Sequence, residues 1–224
     1  VIDHTACKSV LRARLLTLSV CTTGVISLSA TGTGYARSAG SFLTDGFKPG
    51  QEVNAAGFGT GANNGLSVIT AVTDLTMDVQ KTPATVVEGA AGGRALSVGL
   101  PSARIWQNVP TEPPTGAPYI EETYLHGPVT LRTIGPGGLL EGLPQYVIRV
   151  YGLTDLIVGD ESIAKYADAI LALFAAKTAI AVGVDVLRVR GDPAPFSSEI
   201  RPASAGWAVV TVTMPLRIET ANSL

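Results

Sequence analysis

The stretch from Trp207 to Thr220 constrains the fold more than any other part of the chain. Val210, Val212, Met214, Leu216 and Ile218 alternate with Thr211, Thr213, Pro215 and Arg217 without a break. A period of two puts the first set on one face of a strand and the second set on the other. Pro215 belongs to the outward set and has no N–H to give a neighbour, so an edge or a bulge is expected there. Arg104–Asn108, Tyr119–Leu125, Val129–Thr133, Tyr146–Tyr151 and Asp185–Arg190 read as further strands. In Tyr146–Tyr151, Tyr146, Ile148 and Val150 share a face from which Arg149 points away.

Two helices accompany these strands. Ile163, Tyr166, Ala167, Ile170, Leu171 and Phe174 follow the i, i+3, i+4, i+7 spacing of an amphipathic helix, with Asp160 placed to cap it. Near the start, Cys7, Val10, Leu11, Leu15 and Leu18 recur at helical spacing, with Thr5 or Asp3 as cap and Lys8 and Arg12 on the other face. That first helix is too short to be stable alone. It is expected to dock on the later sheet beside the second helix.

Between them the texture changes. Ile26, Leu28 and Ala30 alternate with Ser27 and Ser29, and turn residues gather at Thr31–Gly34, Asp45-Gly46, Pro49-Gly50, Gly57–Gly65 and Gly89–Gly93. Short strands are expected around Val53, Leu66–Val72, Leu75–Val79 and Ala95–Val98, which together suggest a small barrel or sandwich. The fold class that follows is α+β: a mixed sheet packed by two helices, formed by residues 1–20 and 99–224. An all-β barrel or sandwich module, residues 21–98, is inserted into it.

A hydrophobic fraction of 46% supports a core, while 15% charged residues and 25 glycines leave a surface built from Thr, Ser, Gly and Ala. The net charge of −2 gives no general attraction to nucleic acid. Cys7 and Cys21 are too few for a disulfide framework and lack zinc-site spacing, so reduced thiols from a cytoplasmic synthesis are expected. Lys8, Arg12 and Arg14 before the apolar run Leu15 to Ala30 imitate a signal peptide. The imitation fails at Val20, where a small residue is wanted, and at Thr22, Thr23 and Gly24. No stretch reaches the ~20 apolar residues of a membrane span.

The search for chemistry finds little. His4 and His126, the only histidines, are expected to be solvated and apart. Glu121 and Glu122 are neighbours on a strand and face opposite sides. Asp155, Asp160 and Glu161 suit a helix dipole better than a metal. Gly57 to Gly65 lacks the spacing of a dinucleotide loop, and Asn64-Gly65 is a hairpin signal. Gly135-Pro136-Gly137-Gly138 lacks the ending of a P-loop; with Leu139 and Leu140 it makes a mobile loop with an apolar tip. That tip either tucks onto its own domain or orders against a partner chain. Gly137, Gly138, Leu139 and Leu140 are therefore the candidate assembly interface. Arg188 and Arg190 share one strand face and suit solvent, intersubunit ion pairs or phosphate. Trp106, Tyr119, Tyr124, Tyr146, Tyr151 and Trp207 are scattered rather than arranged for base stacking. No catalytic, cofactor-binding or metal-ligating set emerges, so an enzyme is not expected.

One region carries a resemblance. Ile105-Trp106-Gln107-Asn108-Val109-Pro110, followed by Pro113-Pro114-Thr115-Gly116-Ala117-Pro118-Tyr119-Ile120, resembles a signature of siphophage tail terminators and tail-completion proteins. The order of elements from 104 to about 219 is similar to that family, and Lys8–Leu18 looks like its first helix. Thr111 stands where the family has an aromatic, and the 21–98 module is absent from the minimal family. That module resembles a small β domain of phage tail proteins at Phe42–Phe47, Pro49-Gly50-Gln51, Asn63-Asn64-Gly65 and Val68–Val72.

The resemblance implies a structural virion protein without an active site, made in the host cytoplasm. It would form a homohexameric ring that terminates the tail tube and joins it to the head-proximal connector. Its partners would be itself, the tail-tube protein and the head-tail connector or stopper. Double-stranded DNA would pass through without specific binding, past an acidic or neutral channel. A tail-tube or other neck protein is the alternative. A carbohydrate-binding or hydrolytic phage protein would need paired carboxylates or an aromatic stripe.

Overall fold

The computed structural model describes residues 2–109, 112–132, 138–154, 159–203 and 206–221. Helix α1 (His4–Leu15) is capped by Asp3, whose side chain accepts from the Ala6 N–H, and buries Cys7, Leu11 and Leu15. The next elements are β1 (Ser19–Thr22), β2 (Ile26–Ala30), β3 (Gly34–Arg37), the one-turn α2 (Phe42–Asp45), β4 (Glu52–Ala56), β5 (Gly65–Val72), β6 (Thr76–Gln80) and β7 (Glu88–Gly99). Strands β2, β3, β6, β5, β4 and β7 pair in that order, and β7 returns to β2. Of barrel and sandwich, the barrel is what forms, with β1 added beside β7.

Long β7 makes closure possible by serving two neighbours, β2 with its first half and β4 with its second. The crossing is tight: a Cβ on Gly57, at φ +86°, would lie 2.3 Å from the Gly93 carbonyl oxygen. Leu28, Tyr35, Phe42, Phe47, Val53, Ile69, Met77, Leu96 and Val98 are buried.

The second unit contains β8 (Ala103–Ile105), β9 (Tyr119–Leu125), β10 (Val129–Leu131), β11 (Leu139–Gly142), β12 (Gln145–Leu153), α3 (Gly159–Leu173), β13 (Ala179–Val182), β14 (Asp185–Val189), the two-residue β15 (Phe196–Ser197) and β16 (Arg201–Pro202), and β17 (Trp207–Ala221). The sheet is mixed, since β8 runs parallel to β9 while the other pairings are antiparallel. The chain is thus broadly α+β. Strand β17 lies at the centre, flanked by β12 and β11 on one side and by β16, β15 and β14 on the other.

Pro215 stands where the strands on one side of β17 change over, in keeping with the expected edge or bulge: β14 pairs down to Leu216 and β15 starts at Thr213. Pro215 is buried, and pairing on the β11–β12 side keeps one register from Leu153 opposite Trp207 to Leu139 opposite Ala221. Pro144, between β11 and β12, faces Leu216 on that side and Pro215 faces β14 on the other, so each proline spares one donor on a different side of β17. The remaining groups find partners there: Leu216 N–H donates to the Pro144 carbonyl and Arg190 N–H to that of Pro215.

Ile163, Tyr166, Ala167 and Ile170 of α3, with Phe174 just beyond it, are buried, and α3 touches β12 and β17. Helix α1 touches β13 and α3, and Arg14 donates to the Leu173 carbonyl. A buried charge holds α1 to the sheet. Glu122, on β9, is 1% exposed and accepts from Arg12 Nε at 2.6 Å and from the Tyr146 hydroxyl at 2.8 Å, while Arg12 also lies over Trp106.

The barrel meets the sheet through α3. Glu52 N–H donates to the Tyr166 hydroxyl, Lys48 pairs with Glu161 at 2.6 Å, and the Glu52 carboxylate accepts from the Ser102 amide and hydroxyl. Buried apolar residues of both units belong to one cluster.

Two outcomes follow. Replacing residues 21–98 with a short Gly-Ser linker should leave a chain that still unfolds cooperatively, at lower temperature because the α3 face around Tyr166 loses its cover. A broad, non-cooperative melt by circular dichroism would show that the barrel is no insertion. Arg12→Ala should cost about 2–3 kcal/mol in urea unfolding, because it strands a buried carboxylate. Arg149→Ala, which breaks the more exposed pair with Glu121, should cost under about 1 kcal/mol.

Candidate functional site

The two histidines come together, against expectation. His4 opens α1, and its ring stacks on His126 with centroids 4.3 Å apart, while Nδ1 is hydrogen-bonded to the Tyr124 hydroxyl at 3.0 Å. His126 directly follows β9, so docking α1 on the sheet brings the rings into contact. Burial and the neighbouring His126 lower the His4 pKa, with Asp3 opposing. The buried Cys7 thiol lies beside Tyr124 with its pKa raised by burial, and burial lifts Cys21 to about 12. Both thiols are free and neutral, so neither is an activated nucleophile. Among the described residues no group of three His, Cys, Asp or Glu side chains could hold a metal.

Glu121 and Glu122 do point to opposite sides. Glu121 accepts from Arg149 and the Tyr151 hydroxyl, whereas Glu122 is engaged with Arg12 and Tyr146. Three of the aromatics scattered in sequence meet on the Glu121 side. Tyr119 and Tyr151 stack at 4.4 Å, and Trp207 stands edge-on to Tyr119 at 5.1 Å. The two tyrosine rings occupy each other's faces.

The glycine-rich loop before β5 holds an anion, but one of its own. Gly59 and Thr60 N–H groups and the Asn63 amide donate to the Glu88 carboxylate, which also pairs with Arg94. These donors, the two backbone amides first, hold the Glu88 pKa at about 2. Asn64-Gly65 does not make a two-residue hairpin here. The β4–β5 connection runs through a 3₁₀ turn at Gly61–Asn63, with Gly65 at φ +94° beginning the strand.

Of the candidate interface, Gly137 lies outside the described residues. Gly138 is buried, and Leu139 and Leu140 are half-buried in β11, paired with Ala221 and Thr220 of β17. The leucines therefore stand in a strand rather than at a loop tip. Beyond Pro215, β17 would otherwise lack a neighbour on that side, and β11 supplies it.

A cleft of about 510 Å³ opens where β11, β17 and β14 lie side by side. Its charged lining is Arg132, Lys177, Arg188, Arg190 and Arg217 around Glu141 and Asp192. Glu141, 2% exposed, takes Arg132 on one oxygen and Arg217 Nε, at 2.5 Å, on the other. The hydrogen bond from Arg132, with Arg217 and Arg190 near, holds its carboxyl below the usual carboxylate range. Lys177, at φ +68°, Arg188 and Arg190 make no salt bridge among the described residues. Such a cleft can bind an anionic group. Sequence reading found Arg188 and Arg190 but not the cleft, because its other members come from separate strands. Arg217 on the outward set of β17 was the available signal.

A family model described as phage tail terminator protein matches residues 87–216, more than half of the chain, from the start of β7 to Leu216 in β17. No curated protein matches the chain. A solved structure without a descriptive name aligns at 18% identity with a TM-score of 0.41, covering 54% of this chain and 79% of that one.

The histidine pair makes stability depend on pH. A depressed folded-state pKa means that His4 contributes fully above its unfolded value of about 6.5 and loses that contribution as pH falls through the lowered value. Glu88 and Glu141, both held low, add to the loss only below about pH 4.5. The melting temperature should therefore fall between pH 7.5 and 5.5, and His4→Gln or His126→Ala should flatten that slope. An unchanged slope in both variants would remove the pair from the account.

Proposed function

We propose, for a chain that belongs to the phage tail terminator family, that it closes the tail tube as a homohexameric ring and joins it to the head-proximal connector. The match over residues 87–216 carries this reading, because it takes in most of the sheet on which such a ring would be built. As a member of that family the chain is a structural protein of a bacteriophage tail. Its working surfaces are then the contacts between copies and two axial faces, one toward the tail-tube protein and one toward the connector or stopper.

The distribution of surface residues supports an assembling protein. Val129, Leu131, Val184, Val186 and Phe196 are exposed on strands and turns of the sheet unit. Val129 and Leu131 lie on the β11 side of β17 and the others on the β14–β15 side, so exposed apolar side chains suited to contacts stand on both. Residues 137–140 remain part of the proposed interface, with Leu139 and Leu140 as the start of β11 rather than as a mobile tip. Among the described residues no helix is long and apolar enough to cross a membrane. The protein would be made in the host cytoplasm, and DNA would pass through the ring without specific binding.

A reconstruction of the virion tests this directly. One ring of six copies between tube and connector is expected; stacked rings along the tail would make it a tube protein, and an off-axis position would refute both readings. Leu139→Ser with Leu140→Ser should reduce ring yield well beyond the roughly 2 kcal/mol lost from the half-buried monomer site. Rings at wild-type yield would remove these leucines from the interface.

A further inference from the structure

The charged cleft beside β14 is not explained by the fold. Arg188 and Arg217 stand directly opposite each other on β14 and β17, and like charges so placed cost stability. Glu141 forms salt bridges with Arg217 and Arg132 and has Arg190 near it. Lys177, Arg188 and Arg190 converge without a salt bridge among the described residues. Five cations against two carboxylates leave the cleft at +3. The remainder of a chain of net charge −2 then carries −5. The rest of the molecule is the electrostatic complement of this cleft.

The surroundings choose between nucleic acid and protein. Next to the cleft, and sharing Arg188 with it, a second depression is lined by Leu139, Val184 and Val186 with the carboxylates Asp185 and Glu219. Val184 is fully exposed. A duplex presents a convex row of phosphates and gives nothing for valines to contact. Glu141 and Asp192 inside the cleft would repel such a row, whereas one carboxylate side chain can be taken up among the three free cations. Apolar residues beside a basic pocket fit a protein segment of acidic and apolar residues.

The opposite end of the sheet carries such a segment. Along β8, β9, β12, β17, β14, β13, the cleft's Lys177, Arg188 and Arg190 come from β14 and the residues next to β13 and β14, on one side of β17, and the β8–β9 connection lies on the other. That connection bears exposed Glu112 and exposed Val109. In a ring closed by head-to-tail contacts each copy offers two different lateral surfaces, and each meets the other on a neighbour. We propose that the Lys177–Arg188–Arg190 cleft receives Glu112 of a second copy of this chain, making ring closure an ion-pair contact with Val184 and Val109 beside it. The proposal rests on the ring reading above.

The test uses the full chain assembled in phage tails. A zero-length carbodiimide couples an amine to a carboxylate held against it, so Lys177 should be joined to Glu112 between copies, giving a covalent ladder on a denaturing gel. Arg188→Glu with Arg190→Glu should cut ring yield by on the order of tenfold or more, as losing a paired interface charge does. Adding Glu112→Arg to that variant should restore it. An unchanged melting temperature in the reversed variant shows that the loss is not misfolding, and Arg188→Gln with Arg190→Gln provides a milder form if it is. Rings at wild-type yield from the reversed variant overturn the cleft contact and leave the ring standing. Coupling of Lys177 to a different tail protein overturns it too. So does a reversed variant that forms rings but binds a short DNA duplex more weakly. If wild-type tails contain no ring of this chain, the ring reading falls, and the contact with it.

Discussion

The sheet depends on β17 having a hydrogen-bonding neighbour on each side for most of its fifteen residues. No single strand provides that. On one side β12 serves Trp207 to Pro215 and β11 serves Ile218 to Ala221, in one unbroken register. On the other, β16, β15 and β14 follow one another. A long strand can be central only if its proline falls where a ladder bond can be spared. Here Pro215 faces the changeover from β14 to β15, where no strand residue is paired with it, and Pro144 spares one bond on the opposite side of β17. The alternating face then buries Val210, Val212, Met214, Leu216 and Ile218 without a gap.

Glu122 is a buried charge that ties α1 to the sheet. A buried carboxylate gives little net stability compared with an apolar replacement of the same shape, but it discriminates strongly between arrangements. Only α1 lying with Arg12 over Trp106 brings a guanidinium to it, and only Tyr146 on the neighbouring strand gives it a second donor. The same docking fixes His4 against His126 and Tyr124. One ion pair therefore sets the position of the first helix, its histidine and its buried thiol together.

Legibility in the sequence followed periodicity. Strand β17, the core of β12 and helix α3 were visible because six or more apolar residues repeat at one spacing, or because a Tyr-x-Ile-x-Val run marks one face. Strands β3, β11 and β13, of four residues each, were not, since four residues carry too little pattern to separate strand from loop. Leu139 and Leu140 looked like a loop tip because glycines precede them; what makes them a strand is the unpaired edge of β17, a partner eighty residues away. The position of Pro215 is legible in its own strand, but the gap between β14 and β15 that it faces is not. The histidines and the charged cleft were hidden for the same reason. Their members belong to different elements, and no local spacing announces the contact.

The two β units treat their edges in opposite ways, and this bears on which of them can assemble. In the barrel, β7 returns to β2, so the six-strand ring leaves no strand edge except along the added β1. Closure removes the template by which sheets associate, and further contacts to the barrel must be made by side chains and loops. The larger sheet is open. Its terminal strands are β8 and β10, three residues each, on one side of β17, and β13, four residues long, on the other. Short terminal strands offer little for indiscriminate edge pairing, so specificity there has to come from side chains at the two ends. Those ends are unlike, one basic with exposed valine and the other acidic with exposed valine. Unlike ends cannot build a two-fold contact from a single patch, but they can build a head-to-tail one, and a head-to-tail contact with the right rotation closes into a ring.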